Sequence, residues 1–548
     1  MFLKNILFAL LVLVAAAYLV FEVLPGDRGF PDAQLLPDLV SLRKVAREVD
    51  AEFEEKWSEK KLDNAGPAGD LIVARRLSLG LTGTIPSLEE IRKLEAVDPD
   101  HRVDWWTAYL LQDDRSADYV AERLARIYVG TEDGPFIIFR RRRFVMWLSE
   151  QLKKNRPYDQ LVSDLISNNG LWTDTPSVNF YTVTIDGNQG QPDPIRLAAR
   201  TTRAFLGLRI DCLQCHDDAL GTMELGDPGQ PRPGTQEDFH KLAAGFASVR
   251  QVAAGLQDTP AQQPYRYKFL GEDQERIVPF EVPFQAELVP SAGSTREKLA
   301  GWVTHRNNLA FSRAIVNRVW AILAGKPLYD PIDDLPLFGN RPPGLDLLAK
   351  DFAEHGFDLR RLIRIIAQTK VYRLSSTASF EVTEQQESQW AVFPQTPLRP
   401  EQVVGGIVQA TSLKTINRDS NVFQRLATFS DIGDFIVRYG DAGEDEFRNR
   451  SGTIQQKNIM MNGKLVGERT QANDLMVNAA GQIARMAEGD QQAIETLFLV
   501  VLTRQPTPEE SDFLVNLLQE AANENQRTRV IEDILWSLFN KLEFLRNH

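Results

Sequence analysis

Apolar residues return at steps of three and four along most of this chain, which is the spacing of one face of an α-helix. Capping-box sequences, Ser or Thr followed three positions later by Glu, begin at Ser87, Ser294 and Thr507 and mark three helix starts. Stripes of this kind usually form a core rather than a cofactor site, so we predict a mainly α, multi-helix fold. The stripes are clearest in Val120–Ile127, Phe144–Leu152, Leu161–Ile166, Phe239–Phe246, Ile315–Leu323, Leu345–Phe352 and Leu359–Ile366.

The helical pattern is interrupted twice. Residues 251–290 collect Gln and Pro and then β-branched and aromatic residues, which indicates a linker with a small β element between two halves. Residues 375–394 are rich in Ser, Thr, Glu and Gln and suggest an exposed loop. A chain of 548 residues is too long for one ordinary core. We predict a helical domain that contains both cysteines at 30–248, a linker at 249–293 and a helical C-terminal domain at 294–548.

Residues 6–21 carry no charge and follow Lys4. About 20 apolar residues span a bilayer, so we predict a signal anchor, a transmembrane helix within residues 1–25. A cleaved signal peptide with a site at Ala15–Ala17 is the alternative. With Lys4 inside, the bulk of a single-pass protein of the cell membrane lies on the extracytoplasmic, periplasmic side.

The formal charge is −13, from 75 acidic and 62 basic residues. This charge repels phosphate backbones, so nucleic acid is not expected as a partner, whereas a positively charged protein is compatible with it. Two cysteines in so long a chain also exclude a disulfide-dense scaffold.

Those two cysteines, Cys212 and Cys215, stand in the sequence C-x-x-C-H, with His216 directly behind the second. This is the attachment signature of a c-type haem. The spacing lets two thiols reach the two vinyl groups at one porphyrin edge, while the imidazole binds the iron as proximal ligand. We therefore expect one covalently bound haem c on these three residues.

A redox pair, a structural disulfide and half of a zinc site are the other uses of such a cysteine pair. A thioredoxin-like pair follows a strand, but residues 195–208 look like an amphipathic helix. Zinc needs four ligands, whereas the chain has no third cysteine and His240, His305 and His355 stand singly.

Several charged groups have both a functional and a structural interpretation. Arg140–Arg143 either pair with haem propionates or form a solvated helix face. An acidic group, Asp217, Asp218, Glu224 and Asp227, either binds a cation or is surface charge. Asp333 and Asp334, with Asn317 and Arg318, either do acid-base work or brace the fold. The chain contains no HExxH, GxSxG, Walker or GxGxxG motif, so catalytic residues stay unknown.

Ordered stretches on both sides of the cysteine pair carry a family resemblance. In the first half they are Ala74–Gly83 with Ile85–Glu90, Trp147, Pro157–Gln160 and Thr201–Leu208 before the CxxCH; in the second they are Arg296–Trp302, Ala314–Trp320, Asp333–Asp334, Phe357–Leu359, Tyr372–Ser376, Met461–Gly463 and Thr503–Glu510. The first half resembles the planctomycete-type cytochrome-like domain of unknown function, and the second resembles its usual C-terminal companion, also of unknown function. The resemblance implies haem attachment and no settled activity beyond it.

Two departures from that family pattern concern the sixth haem ligand. The family commonly continues as C-x-x-C-H-D-H, whereas Asp218 stands here in place of the second histidine. Where the family usually has two tyrosines after an aspartate, this chain has Phe239 and His240. His240 or Met223 is therefore a candidate distal ligand, with Met146 a remote one. A buried, hydrogen-bonded histidine and a core methionine are the structural alternatives.

These observations favour an exported, membrane-anchored c-type haem protein that transfers electrons to or from a redox partner protein. A haem-dependent extracytoplasmic oxidoreductase on an unknown substrate is the first alternative, because a bare carrier needs only about 100 residues. A haem-free scaffold or surface protein with a structural cysteine pair is the second. Whether the chain is an enzyme is left open.

Overall fold

The computed structural model describes residues 39–131, 141–185, 190–252, 255–259, 264–417, 433, 435–440, 452–472 and 478–548. The predicted anchor at residues 1–25 lies outside these ranges. In the described part, no helix combines the length and the apolarity that a membrane crossing demands.

The described chain is mainly helical, as predicted. Helices of the first half are α1 Leu39–Lys60, α2 Asp70–Thr82, α3 Leu88–Glu95, α4 Arg102–Gln112, α5 Asp114–Val129, α6 Arg141–Lys153, α7 Tyr158–Ser167, α8 Asn179–Thr182, α9 Pro194–Thr201 and α10 Gln236–Ala243. Those of the second half are α11 Thr295–Val303, α12 Leu309–Ala324, α13 Leu345–Glu354, α14 Leu359–Gln368, α15 Glu384–Ser388, α16 Pro400–Ala410, α17 Ile454–Asn462, α18 Lys464–Thr470, α19 Ala479–Met486, α20 Asp490–Leu502, α21 Pro508–Gln519 and α22 Glu524–Phe539.

The local sequence explains where these helices begin. All seven apolar stripes fall on helices, and the predicted capping boxes form at Ser87, Ser294 and Thr507, each with reciprocal hydrogen bonds to the Glu three residues on. Pro508 follows Thr507 at the first helical position, where a missing N–H costs nothing.

The strands are few, short and paired antiparallel. Their bounds are β1 Glu224–Asp227 with β2 Gln230–Pro233, β3 Val249–Val252 with β4 Gly255–Asp258, β5 Arg266–Tyr267 with β6 Arg276–Ile277, and β7 Thr396–Pro397 with β8 Arg546–Asn547. Two of the pairs, β3 with β4 and β5 with β6, lie where the sequence indicated a small β element.

Two hydrophobic clusters hold the described residues together. The larger contains residues from Leu42 to Phe393, and the smaller combines residues from Leu398 to Phe544 with Leu79 and Ile85. The larger cluster therefore crosses the predicted boundary at 293/294, and helix α2 contributes to both clusters.

Helix α2 reaches the last part of the chain through two buried arginines. Arg75 donates to the carbonyl oxygens of Val501 at 2.9 Å and Phe544 at 3.1 Å. Arg76 donates to those of Tyr372 and Leu374, both at 2.8 Å. Neither side chain is exposed to solvent. Each guanidinium thus satisfies carbonyl groups that would otherwise be buried without a donor.

The predicted exposed loop at 375–394 is only partly correct. Trp390, Ala391, Val392 and Phe393 are buried, and the rings of Trp390 and Trp320 meet edge to face with centroids 5.3 Å apart. A four-residue apolar run behind a polar segment is too short to show helical periodicity, which is why the pattern missed it.

Candidate functional site

The approach to the cysteine pair is a helix that ends abruptly. Asp193 caps α9 by accepting the N–H groups of Ile195 and Arg196, and the helix continues as one π-helical turn, Thr202–Leu206. Gly207 then adopts a left-handed conformation with φ of 64°. A Cβ at this glycine would lie 2.8 Å from Leu335, whose N–H donates to the Gly207 carbonyl at 2.7 Å. The second half of the chain therefore fixes the point where the approach helix stops.

Cys212 lies on a short 3-10 turn, Asp211–Gln214, and Cys215 directly follows it, so the turn presents both cysteines to solvent. Cys212, Cys215 and His216 are all exposed, and both thiols are free. Leu213, between the cysteines, is buried and anchors the turn in the core. The three residues predicted to act together therefore share one exposed turn.

The ring of His216 is oriented by a backbone carbonyl. Its Nδ1 lies 2.8 Å from the backbone oxygen of Asp217. A carbonyl oxygen only accepts hydrogen bonds, so Nδ1 carries the proton and Nε2 keeps its lone pair. In metal-binding histidines, such a bond commonly selects the nitrogen that coordinates the metal.

Three side chains converge on the carbonyl oxygen of Gln214, inside the turn. Nε2 of His240 lies 3.0 Å away, the Tyr267 hydroxyl 3.0 Å and Nε2 of Gln236 3.1 Å. A carbonyl oxygen has two lone pairs. The Gln214 oxygen therefore has one more donor than it has lone pairs. We call His240, Tyr267 and Gln236 the Gln214 bracket.

His240 is the centre of this bracket. It is fully buried, its ring stacks on Tyr267 with centroids 3.4 Å apart, and its Nδ1 lies 2.8 Å from the Tyr265 hydroxyl. Burial lowers the pKa of His240 below its usual value, opposed by the bond to Gln214. The neutral ring thus donates from Nε2 to the carbonyl and accepts at Nδ1 from Tyr265.

The candidate distal ligands occupy different surroundings. Both ring nitrogens of His240 are engaged in hydrogen bonds, so ligation through either nitrogen would require breaking the bond which that nitrogen makes. Met223 is half-buried and lines a cavity beside the turn. Met146 lies on α6 and is 56% exposed. The identity of the distal ligand stays a prediction.

Three of the four acidic residues behind the motif accept backbone N–H groups, while the fourth, Glu224, is exposed on β1. Asp217 accepts the N–H of Gln236 at 2.7 Å, Asp218 accepts that of Met223 at 2.6 Å, and Asp227 accepts that of Gln285 at 2.6 Å. Among the described residues, no group of three or more His, Cys, Asp or Glu side chains is arranged to hold a metal ion. These hydrogen bonds favour loop bracing as the role of these carboxylates.

The other charged candidates also form pairs. Arg141 donates to both oxygens of Glu122, at 3.0 and 2.7 Å, while Arg142 and Arg143 are exposed. Arg140 lies outside the described residues. Nearer the turn, Arg203 pairs with Asp211 at 2.6 Å and Arg209 with Asp333 at 2.9 Å.

Asn317 and Arg318 have structural partners. The Asn317 amide exchanges hydrogen bonds with the backbone of Tyr329, and Arg318 donates to the carbonyl of Ala204 at 2.7 Å. Both side chains are buried. These contacts favour their interpretation as groups that brace the fold.

A cavity of about 210 Å³ lies directly beside the turn. One wall comes from residues around the motif, 208–210 and 221–225, and the other from Tyr329 and residues 334–338. Burial, and the charge of Asp333, raise the pKa of Asp334 in this second wall, while Arg209 opposes the shift. The cavity is therefore formed jointly by the two halves of the chain.

Two protein-family models match this chain. PSCyt2, a protein of unknown function (DUF1549), matches residues 48–251, and PSD1, a protein of unknown function (DUF1553), matches residues 295–430. The chain contains a PSCyt2 domain followed by a PSD1 domain. This is the predicted pair in the predicted order. No curated protein and no solved structure matches the chain.

The PSCyt2 match contains the CxxCH turn and two residues of the Gln214 bracket, Gln236 and His240. Tyr265 and Tyr267 lie between the two matches, and the far wall of the cavity belongs to the PSD1 match. Sequence reasoning missed Gln236, Tyr265 and Tyr267. The aromatic residues within the predicted linker were the only signal in the sequence, but nothing in them indicated contact with Gln214.

The residues of the turn fit a c-type haem. Two free, exposed thiols stand at the sequence spacing that attachment requires. In the His216 ring, Nδ1 makes the hydrogen bond, and Nε2 is the nitrogen that could bind a metal. Cys212, Cys215 and His216 would hold the group.

Proposed function

We propose that this protein is an exported, membrane-anchored c-type haem protein that transfers electrons with a redox partner. The observation that carries the proposal is the His216 ring, hydrogen-bonded through Nδ1 to the Asp217 carbonyl beside two exposed thiols. This bond orients the exposed ring and, in the neutral imidazole, leaves Nε2 as the nitrogen that could bind iron.

The chain's own residues would act in three ways. Cys212 and Cys215 would hold the group through thioether bonds, in which each S–H would have been added across one vinyl group. His216 would bind the iron through Nε2. The Gln214 bracket holds the peptide between the cysteines, so both thiols stay directed outward. When bound, the haem supplies one-electron oxidation and reduction.

Electron transfer is supported by the position of the turn on the surface. Exposed attachment residues keep the bound group within reach of a partner protein, and the net charge of −13 favours a partner with a basic face. Export is supported by the apolar segment at residues 6–21 and by the extracytoplasmic nature of haem attachment to CxxCH.

A second candidate function is favoured by the cavity beside the turn. Because both halves of the chain line it, a small molecule could bind next to the haem, as a haem-dependent oxidoreductase requires. An open sixth coordination position would favour this enzyme, whereas a methionine ligand such as Met223 would favour the carrier.

The test is expression of the full chain in a host that matures c-type cytochromes, followed by a denaturing gel with haem-peroxidase staining. We expect a stained band near 62 kDa. The matched control, Cys212→Ala with Cys215→Ala, removes every thiol in the chain and should remove the stain. An unstained wild-type band from folded protein contradicts the proposal and favours the haem-free scaffold.

Spectra of the stained protein then separate carrier from enzyme. Carbon monoxide added to the reduced protein should leave the spectrum of a six-coordinate carrier unchanged. A shifted spectrum indicates an open position and favours the oxidoreductase. Fractionation of the same cells tests the anchor, since an anchored protein sediments with membranes and is released only by detergent.

A further inference from the structure

A second cavity, of about 230 Å³, adjoins the one beside the cysteine turn and shares Leu337 and Phe338 with it. Its apolar surfaces include Phe284, Leu309 and Phe338. Arg313 and Arg341 are the charged side chains among the described residues that line it. An apolar pocket with two guanidinium groups is unusual in a chain whose net charge is −13.

One carboxylate serves both arginines. Arg313, at the start of α12, donates from Nε to Asp346 at 2.6 Å and from one terminal nitrogen at 3.2 Å. Arg341 donates to the same carboxylate at 3.3 Å and to the Leu337 carbonyl at 2.6 Å. Two positive charges therefore share one negative charge.

The arginines also keep unused donors. Nε of Arg341 is buried and has no hydrogen-bond partner within the described part of the chain. Burial and the charge of Arg313 lower the pKa of Arg341, opposed by Asp346. Because Nε is closed off from solvent, an anion in the cavity would meet the two guanidinium groups at their terminal nitrogens, where it would supply the second negative charge that Asp346 alone does not.

Another acidic residue near the cavity is engaged elsewhere. Asp227 accepts the N–H of Gln285, and its charge acts on Arg232. It therefore does not complete the pairing of Arg313 and Arg341.

We propose that this cavity binds a small organic anion, a carboxylate with an apolar body, whose charged end pairs with Arg341 and Arg313 and whose body packs against Phe284 and Phe338. A planar guanidinium matches a carboxylate better than it matches a single-point acceptor. The proposal does not depend on haem, because every residue named belongs to the polypeptide.

The experiment is calorimetric titration of the full chain with straight-chain monocarboxylates from acetate to hexanoate, their amides, and inorganic phosphate. We expect the carboxylates to bind more tightly as the chain lengthens, and the matched amides to bind at least about tenfold more weakly. Phosphate binding as tight as that of hexanoate would overturn the apolar part of the proposal. Absence of carboxylate binding would overturn all of it.

Variants locate the site. Arg341→Gln should weaken hexanoate binding at least about tenfold, whereas Arg306→Gln, the same change on the neighbouring surface, should bind as wild type. If Arg341→Gln does not fold, photolabelling of wild type with a diazirine-bearing carboxylate replaces it. Labels should then map to peptides containing Phe284 or Phe338, and labels confined to other peptides would contradict the proposal.

Discussion

The imidazole Nε2 of His240 lies 3.0 Å from the backbone oxygen of Gln214, between the two cysteines of the motif. A histidine that sequence reasoning offered as a metal ligand is thus bonded to the turn that would carry the metal. His240 stands 26 residues after Gln214; the β1–β2 hairpin lies between them, and α10 then returns the side chain to the turn.

We expect His240→Phe to loosen the cysteine turn. The substitution fills the same space but removes one donor from Gln214 and leaves the Tyr265 hydroxyl without its acceptor. The free energy of unfolding should fall by about 1–3 kcal/mol. Deuterium uptake by the peptide spanning Cys212 and Asp217 should accelerate, as measured by mass spectrometry. The control is His101→Phe, at an exposed position. Unchanged exchange in the His240 variant would show that the bracket does not hold the turn.

Asp50 predicts a pH dependence of stability. Its carboxylate accepts the N–H groups of Lys370 at 2.8 Å and Val371 at 3.2 Å, and burial raises its pKa from 3.8 to about 6. Because the folded state then holds a proton that the unfolded state has lost, stability contributed by Asp50 is full below about pH 4. It is lost as the pH rises through about 6.

Urea unfolding at about pH 4.5 and about pH 7 tests this. Relative to Asp50→Asn, which does not titrate, the wild type should be more stable at the lower pH than at the higher. The surface change Asp63→Asn should leave the pH dependence as it is in wild type. If the free energy of unfolding of wild type, relative to Asp50→Asn, increased with pH, the pKa of Asp50 would not be raised in the folded protein.

Gly80 marks a close crossing of α2 and α12. A Cβ at this position would lie 2.8 Å from the Cα of Leu323. Gly80→Ala should therefore destabilise the protein by about 1–3 kcal/mol through overpacking, exceeding the helix-propensity gain of up to about 1 kcal/mol. Gly467→Ala, in helix α18 with open space around the new methyl group, should show only that gain. Thermal unfolding of both variants measures the contrast, and equal effects would rule out the crossing as the cause.

Arg296 joins the start of the PSD1 match to the PSCyt2 domain. Its guanidinium is fully buried, pairs with both oxygens of Asp258 at 2.8 Å, and donates to the carbonyls of Ile166 and Asn168. Its removal leaves the partly exposed Asp258 carboxylate and two carbonyl oxygens without their donor. Arg296→Met should therefore lower the free energy of unfolding by about 3–5 kcal/mol.

Chemical unfolding followed by circular dichroism measures the effect of Arg296→Met. Arg306→Met, on the surface of the same region, should stay within about 0.5 kcal/mol of wild type. A loss for Arg296→Met no larger than that of the control would mean that Asp258 finds another partner.

The helices could be predicted because their signals are local. A capping box of four residues marks each of the helix starts at Ser87, Ser294 and Thr507. Apolar periodicity becomes visible within a few helical turns. The CxxCH motif is likewise local, since five consecutive residues contain it. These parts of the fold depend on neighbours in sequence.

The rest depends on contacts that no short window contains. Tyr267 reaches Gln214 across 53 residues, and Leu335 meets Gly207 across more than a hundred. The crossing of the larger core over the 293/294 boundary arises in the same way, because α12 packs on α2 and on the turn before the cysteines. Periodicity reports which face of a helix is buried, but not what covers it.

The bonds of Arg75 also set an order of events during synthesis. Its acceptor at Val501 lies 426 residues later in the chain, so α2 cannot reach its final packing until most of the polypeptide has been made. Contacts of such long range slow folding, because the conformational entropy of the intervening chain is lost before the contacts form and stabilise the fold. The cysteine turn is complete much earlier, within the 53 residues that bring Tyr267 to Gln214. We therefore expect the turn to meet whatever modifies it on a chain that is still assembling.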